Sequence, residues 1–365
     1  MNDSTYIVTQ IENFLYNRGI EIDKETSMNE YIVLIGTGGT IAGQGSSETD
    51  LTGYTPGLLS LEDILADVPQ AQEYGPFLYE QFSNIESSDI RENDWVALAQ
   101  LVQAYVDRED VAGLVITHGT DSMEETAYFL NLVIDTDKPI VLTGSMRPAG
   151  ALSADGPLHL LQALQLARTE RAWGQGVLVA LNGYIDGARD VTKQNTTDVA
   201  TFGNPTFGHL GIIQDGQAHL YYAPTRMHTE FSNFKVSNLV RYAASHEPTS
   251  PTNSLPSVAI LTCYAGIEGS LVDAVLATQP DGLILVGLGH GTIPKQVIEK
   301  TSNLDIPVVR ASRTGSGLVS ALESDKERGY LVSDTLQPQK ARILLMLCLA
   351  KGYDRDQIRQ AFKDY

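Results

Sequence analysis

Cysteine is nearly missing from this chain: two residues, Cys263 and Cys348, among 365. That excludes a disulfide-stapled scaffold and leaves both as small hydrophobes, one in a predicted strand and one in a predicted helix. Basic residues are scarce too, with 25 Lys and Arg against 45 Asp and Glu, a formal net charge of -20 and a pI near 4.6. Charge alone therefore argues against nucleic acid or an anionic membrane surface as the main partner. No apolar run reaches the length of a membrane span, and the opening Met1-Asn2-Asp3-Ser4-Thr5-Tyr6 lacks the basic and apolar regions of a signal peptide. A cytoplasmic location is the expectation. Neither HExxH nor clustered Cys and His spacing occurs, so no metal and no cofactor are expected. What the chain has is length, 42% hydrophobic and 19% charged residues, enough for two domains with cores of their own.

The hydrophobic pattern alternates between strand and helix periods. Predicted strands at 113–117, 139–143 and 176–181 interleave with predicted helices at 94–106, 123–134 and 158–169, which specifies a parallel, helix-covered sheet. A Ser- and Pro-rich change of composition around 245–256 marks a linker. Beyond it, strands at 258–262, 282–286 and 307–311 alternate with helices at 270–277, 294–302 and 339–351. The expected fold class is α/β: two helix-covered, mainly parallel β-sheet domains, larger N-terminal and smaller C-terminal, joined by a linker. The divisions are an extension at 1–28, with a short helical pattern around Ile7, Ile11 and Leu15, a catalytic domain at 29–225, a linker at 226–257 and a second domain at 258–365. Residues 44–60, rich in Gly, Ser, Thr and Pro, form the expected lid.

The most informative segment is Leu114-Val115-Ile116-Thr117-His118-Gly119-Thr120-Asp121-Ser122-Met123-Glu124-Glu125-Thr126. An apolar strand ends there and a helix begins, with Ser122 and Glu125 spaced as a capping box. Thr120 and Asp121 then sit in the turn at the carboxyl end of a strand, where ligands of open α/β sheets bind. A second strand, Tyr31 to Ile35, runs into Gly36-Thr37-Gly38-Gly39-Thr40-Ile41-Ala42-Gly43. Its glycines permit a tight turn and leave amide hydrogens free for developing negative charge. Nucleotide patterns fail on this loop. A P-loop counted from Gly38 needs Lys and then Ser or Thr where the chain has Gln44 and Gly45, and the dinucleotide fingerprint from Gly36 ends on Ile41.

Together with Lys138 to Pro148, Ser153 to Pro157 and Arg189 to Phe202, the two threonine turns make the chain resemble the bacterial L-asparaginases, the two-threonine asparaginase/glutaminase family, from Tyr31 onward. That resemblance implies roles at matching positions. Thr40 corresponds to the nucleophile and Tyr54 to the tyrosine of the closing loop, while Thr120, Asp121 and Lys193 correspond to a second catalytic cluster. Ser87 and Asp121 match positions holding the substrate α-carboxylate and α-ammonium, and Ser145 a position near the side-chain amide. Gly39, Ser88 and Gly119 complete the implied binding set. Glu323, reached across a gap, matches a glutamate donated by a neighbouring subunit in a homotetramer built as a dimer of intimate dimers. Ser88 and Gly266 resemble the cytosolic, type I branch, whereas Arg189 to Phe202 is closer to the exported, type II branch. The features are mixed, and the choice between asparagine and glutamine stays open.

The residues support that chemistry on their own terms. Hydrolysing a carboxamide needs a nucleophile, a proton acceptor, an oxyanion site and a proton donor for ammonia, and a threonine hydroxyl needs activation by a base or by local electrostatics. Around Lys193, burial and the Asp121 carboxylate act in opposite directions on the amine. Bland readings stand beside each site residue. Thr120 and Asp121 serve equally as helix caps, Lys193 as a solvated lysine, Tyr54 as a loop aromatic, and His118 as a hydrogen-bonded structural histidine. Asparagine hydrolysis through a threonine acyl-enzyme is the leading reading, with minor glutaminase activity. An ammonia-producing amidotransferase subunit and a non-catalytic amino-acid sensor are the alternatives.

Overall fold

The computed structural model describes residues 30–51, 53–55, 58–246 and 253–365. The expected extension at 1–28, parts of the expected lid and the middle of the Ser- and Pro-rich stretch lie outside the described residues, as do the side chains of Tyr54 and Thr55. Strand β1 (Tyr31–Gly38) is buried from its second residue to its last, as continuous apolar runs are when helices cover both faces of a sheet. The chain continues through β2 (Gln44–Gly45), β3 (Tyr54–Thr55), α1 (Leu61–Ala66), β4 (Phe77–Ile85), α2 (Glu92–Val106), β5 (Val111–Thr117) and α3 (Met123–Val133). Then come β6 (Ile140–Thr143), α4 (Gly156–Ala167), β7 (Val177–Leu181), β8 (Tyr184–Gly187), β9 (Thr192–Lys193), β10 (Phe202–Gly203), β11 (Gly211–Gln214), β12 (Gln217–Leu220) and α5 (Val236–Ser245).

The second half reads β13 (Val258–Thr262), α6 (Gly269–Leu276), β14 (Gly282–Gly287), α7 (Lys295–Thr301) and β15 (Val308–Ser312), followed by α8 (Glu323–Arg328), β16 (Tyr330–Val332), α9 (Pro338–Ala350) and α10 (Arg355–Asp364). Its four strands form a sheet in the order β13-β14-β15-β16, parallel throughout. The larger sheet has the order β12-β11-β8-β7-β6-β5-β1-β4. From β4 to β7 it is parallel, and its β8-β11-β12 side is antiparallel. This is the expected α/β class of a larger and a smaller helix-covered sheet.

Sequence pattern finds the parallel strands β1, β5 to β7 and β13 to β15 and misses β4, β16 and the antiparallel side, because β4 has no fully buried position and β8, β11, β12 and β16 are only three or four residues long. It also ends one helix early: α10 follows α9, with only Ile358, Ala361 and Phe362 buried among ten residues. A single apolar core joins the two halves. Trp95 and Val102 of α2, Phe129 of α3, and Ile343, Leu344 and Met346 of α9 belong to one cluster. Each such side chain, fully buried, contributes about 1.5–3 kcal/mol. The stretch read as linker carries α5, which packs on α2 and α9. Both cysteines are buried and free. Among the described residues, no helix is long and apolar enough to cross a membrane.

Candidate active site

Strands β1 and β5 are parallel neighbours, with Gly36 opposite Thr117, so the turns that follow them leave from the same edge of the sheet. The Thr37 hydroxyl donates to the Thr117 carbonyl at 2.9 Å and ties the two strand ends together. Gly39 has φ 80°, and a Cβ there would lie 2.4 Å from Gly119 Cα and 2.6 Å from its nitrogen. The two backbones therefore touch where only glycine fits. One residue beyond each glycine stands a threonine, Thr40 at 8% exposure and Thr120 at 6%. Thr40 opens a short 3-10 turn, Thr40–Ala42.

A bonded cluster surrounds Thr120. Lys193, paired through β9 with Phe202 of β10, donates from Nζ to Thr120 Oγ1 at 2.9 Å and to Asp121 Oδ1 at 2.7 Å. The lysine side chain is 17% exposed and the aspartate 70%. An ion pair this open to water contributes at most about 1 kcal/mol to stability, so its effect is to aim the ammonium at the threonine oxygen. Ser87, on the buried side of a 3-10 turn (Ser87–Asp89), accepts the Asp121 and Ser122 amide hydrogens at 3.2 and 3.4 Å. With its oxygen accepting, the Ser87 hydroxyl keeps its own proton to donate.

The expected capping box does not form. Ser122 gives its hydroxyl hydrogen to the Ser87 carbonyl at 2.6 Å, and α3 starts without a side-chain cap. A partner 35 residues away in sequence wins over the local one because it also fixes the Thr120 turn against the Ser87 turn. His118 is the structural histidine expected. Its Nδ1 lies 2.8 Å from the Gly119 carbonyl and its Nε2 3.0 Å from Thr126 Oγ1, which also accepts the Trp95 indole N–H at 2.9 Å. Since a carbonyl only accepts, His118 gives Nδ1–H to Gly119, and the Nε2 of the neutral ring accepts the Thr126 hydrogen. Complete burial pushes the imidazole down to about 4 and keeps it neutral.

The remaining predicted residues are placed as follows. Ser88 is exposed and lines a cleft of about 320 Å³ together with Ser87, Asp121, Ser122, Trp95 and Arg342. Ser145 is buried beside the Thr40 turn: a Cβ on Gly156 would be 3.0 Å from Ile41 and 3.4 Å from Ser145, whose hydroxyl donates to the Arg147 carbonyl. Glu323 stands apart, exposed in the first turn of α8 and 3.4 Å from Lys326. The β3 backbone of Tyr54 pairs with Gly45. Another cleft, of about 420 Å³, opens between Gln175, Arg189, His209 and Arg226 and includes none of the predicted site residues. Among the described residues no cluster of His, Cys, Asp and Glu is arranged to hold a metal ion. Sequence reasoning missed the Ser122–Ser87 tie, the Trp95–Thr126–His118 chain and a buried lysine, Lys340, because each depends on partners distant in sequence.

Known proteins are similar to this chain over most of its length. The family model described as asparaginase, N-terminal, covers residues 31–226, and the glutaminase/asparaginase C-terminal domain covers 257–362. L-asparaginase 2 of Escherichia coli is 40% identical over 92% of this chain and 93% of its own. Glutaminase-asparaginase of Pseudomonas fluorescens is 35% identical over 94% and 93%, and the probable periplasmic L-asparaginase of Haemophilus influenzae 38% over 96% and 97%. A crystal structure of a probable cytoplasmic L-asparaginase from Campylobacter jejuni superposes with a TM-score of 0.84 at 39% identity, covering 92% of this chain and all of that one.

Proposed function

Because the chain belongs to the asparaginase family, it hydrolyses L-asparagine to L-aspartate and ammonia, and we propose that it does so through an acyl-enzyme on Thr40. The Thr40 oxygen attacks the carboxamide carbon, the C–N bond breaks, and ammonia leaves with the proton that the hydroxyl gives up. Water then attacks the ester, its hydroxyl going to aspartate and its proton back to Thr40. Thr120, Asp121 and Lys193 move the protons. Backbone amides of the glycine turn hold the oxyanion, an effect of about 3 kcal/mol where such a donor has been removed. Ser87 donates to the substrate α-carboxylate, and the exposed Asp121 carboxylate pairs with the α-ammonium. Gly39, Ser88, Gly119 and Ser145 shape the pocket, Tyr54 closes it, and Glu323 reaches the site of a neighbouring subunit.

The observation that carries this reading is the Lys193–Thr120–Asp121 cluster set against the Thr40 turn by the Gly39–Gly119 contact. Glutamine is a minor substrate, in keeping with the glutaminase-asparaginase relatives; one extra methylene is worth only about 1–3 kcal/mol of discrimination. A homotetramer of intimate dimers and a cytoplasmic location complete the reading, the latter on the likeness to the Campylobacter jejuni protein. Ammonia release from asparagine and glutamine by the isolated chain tests it. Thr40→Ala and Thr120→Val are each expected to lose about 10³-fold or more in kcat with circular dichroism and melting unchanged. Normal rates in either variant refute the assigned role. Turnover only with an added partner would favour an amidotransferase subunit, and amino-acid binding without turnover a sensor; neither is favoured by the family match.

A further inference from the structure

The four residues that deliver Lys193 to the site, Ala188 to Val191, lie between β8 and β9 and belong to no strand. Their amide hydrogens stay within the larger half: Ala188 donates to Val177, and Asp190 and Val191 to Gly187. Their carbonyls do not. Those of Ala188 and Arg189 accept from Lys340 Nζ at 2.9 and 3.0 Å, and that of Val191 accepts from the same nitrogen. An ammonium has three hydrogens, and all three are used on this one segment. Lys340 is fully buried in the first turn of α9, where burial disfavours its charge and the nearby Glu124 and Asp190 carboxylates favour it.

The neighbouring residue grips the other side of the site. Gln339 donates from Nε2 to Glu124 Oε1 at 2.9 Å, and Glu124 is the second residue of α3, four positions after Thr120. Resting on the catalytic role given above to Lys193, we propose that Lys340 and Gln339 are positioning residues. One helix of the smaller half fixes the lysine-bearing segment and the threonine-bearing helix relative to each other, so that Lys193 Nζ meets Thr120 Oγ1.

Kinetics of Lys340→Met, Gln339→Leu, Lys193→Met and the two double variants with Lys193→Met test this on asparagine. Misplacing a reacting group by an ångström costs up to about 100-fold, so Lys340→Met is expected to lower kcat by about tenfold or more with KM within about threefold. In the double variant the losses do not multiply: kcat stays within about twofold of Lys193→Met alone, because the lysine that Lys340 aims is already gone. A purely structural role would multiply. Multiplied losses, or a folded Lys340→Met with wild-type kcat, overturn the proposal. If Lys340→Met does not fold, the half-buried Gln339→Leu decides, expected to lose about threefold in kcat without multiplying; an unchanged kcat overturns it. Full activity of Lys193→Met itself removes the role of Lys193 and this inference with it, whereas an inactive Lys193→Met beside normal positioning variants removes this inference alone.

Discussion

His118 shows how a single residue beside a proposed catalytic threonine can be read correctly as hydrogen-bonded and still need the structure for its partners. Adjacent to Gly119 and two positions before Thr120, it has the sequence address of a base, yet burial lowers its imidazole to about 4 from an ordinary 6.5. Between those values the unfolded chain binds the proton that the folded chain refuses, so unfolding free energy rises with pH. This contribution is intact above 6.5 and is lost as the pH falls toward 4, amounting to about 3 kcal/mol at the acid end. Urea denaturation from pH 4 to 7 should therefore give a slope shallower by about one proton in His118→Asn than in the parent chain; equal slopes would contradict the buried neutral ring. Ser122 teaches the converse. Its spacing from Glu125 satisfied a local rule, and a tertiary hydrogen bond took the hydroxyl instead.

At the scale of elements, long buried strands and helices were legible because a continuous apolar run or a 3.6-residue period is written within ten or so neighbouring residues. Short strands and elements with few buried positions were not, as β8, β11, β12 and α10 show. The last of these closes the molecule. Tyr365, the residue after α10, is 2% exposed, its ring packs on Phe234 at 5.0 Å, and its hydroxyl accepts the Asn233 amide hydrogen at 2.7 Å. Its main-chain oxygen accepts from Arg189 Nε at 3.0 Å, on the segment that leads to Lys193. Tyr365→Ala should destabilise the chain by about 3 kcal/mol or more, the range found for buried aromatics cut to alanine. Equilibrium urea unfolding measures it, and a loss under about 1 kcal/mol would mean that the C-terminal residue packs without consequence.

Among the described residues the two larger sheets share one apolar cluster, in which α9 packs on α3 of one half and on β13 to β15 of the other, while each half keeps a second cluster of its own. Glu323, exposed and distant in role from the cluster of its own chain, gives the proposed assembly its test. Mixing the inactive Thr40→Ala chain with Glu323→Ala and letting subunits exchange should restore activity, because one composite site then pairs an intact Thr40 with an intact Glu323. Mixed oligomers that stay as inactive as their parents would remove Glu323 from the site. By itself the sequence determined the alternation of strands and helices, the two glycine-threonine turns and the residues with chemistry on them, all encoded by steric freedom and apolar period over short spans. Only the tertiary structure decided that Gly39 rests on Gly119, that Ser122 serves Ser87, and that Lys340 and Gln339 hold both sides of the site. Those contacts join residues 35 to 215 positions apart, and hydrogen bonds across such spans follow from how the layers pack, which no local pattern records.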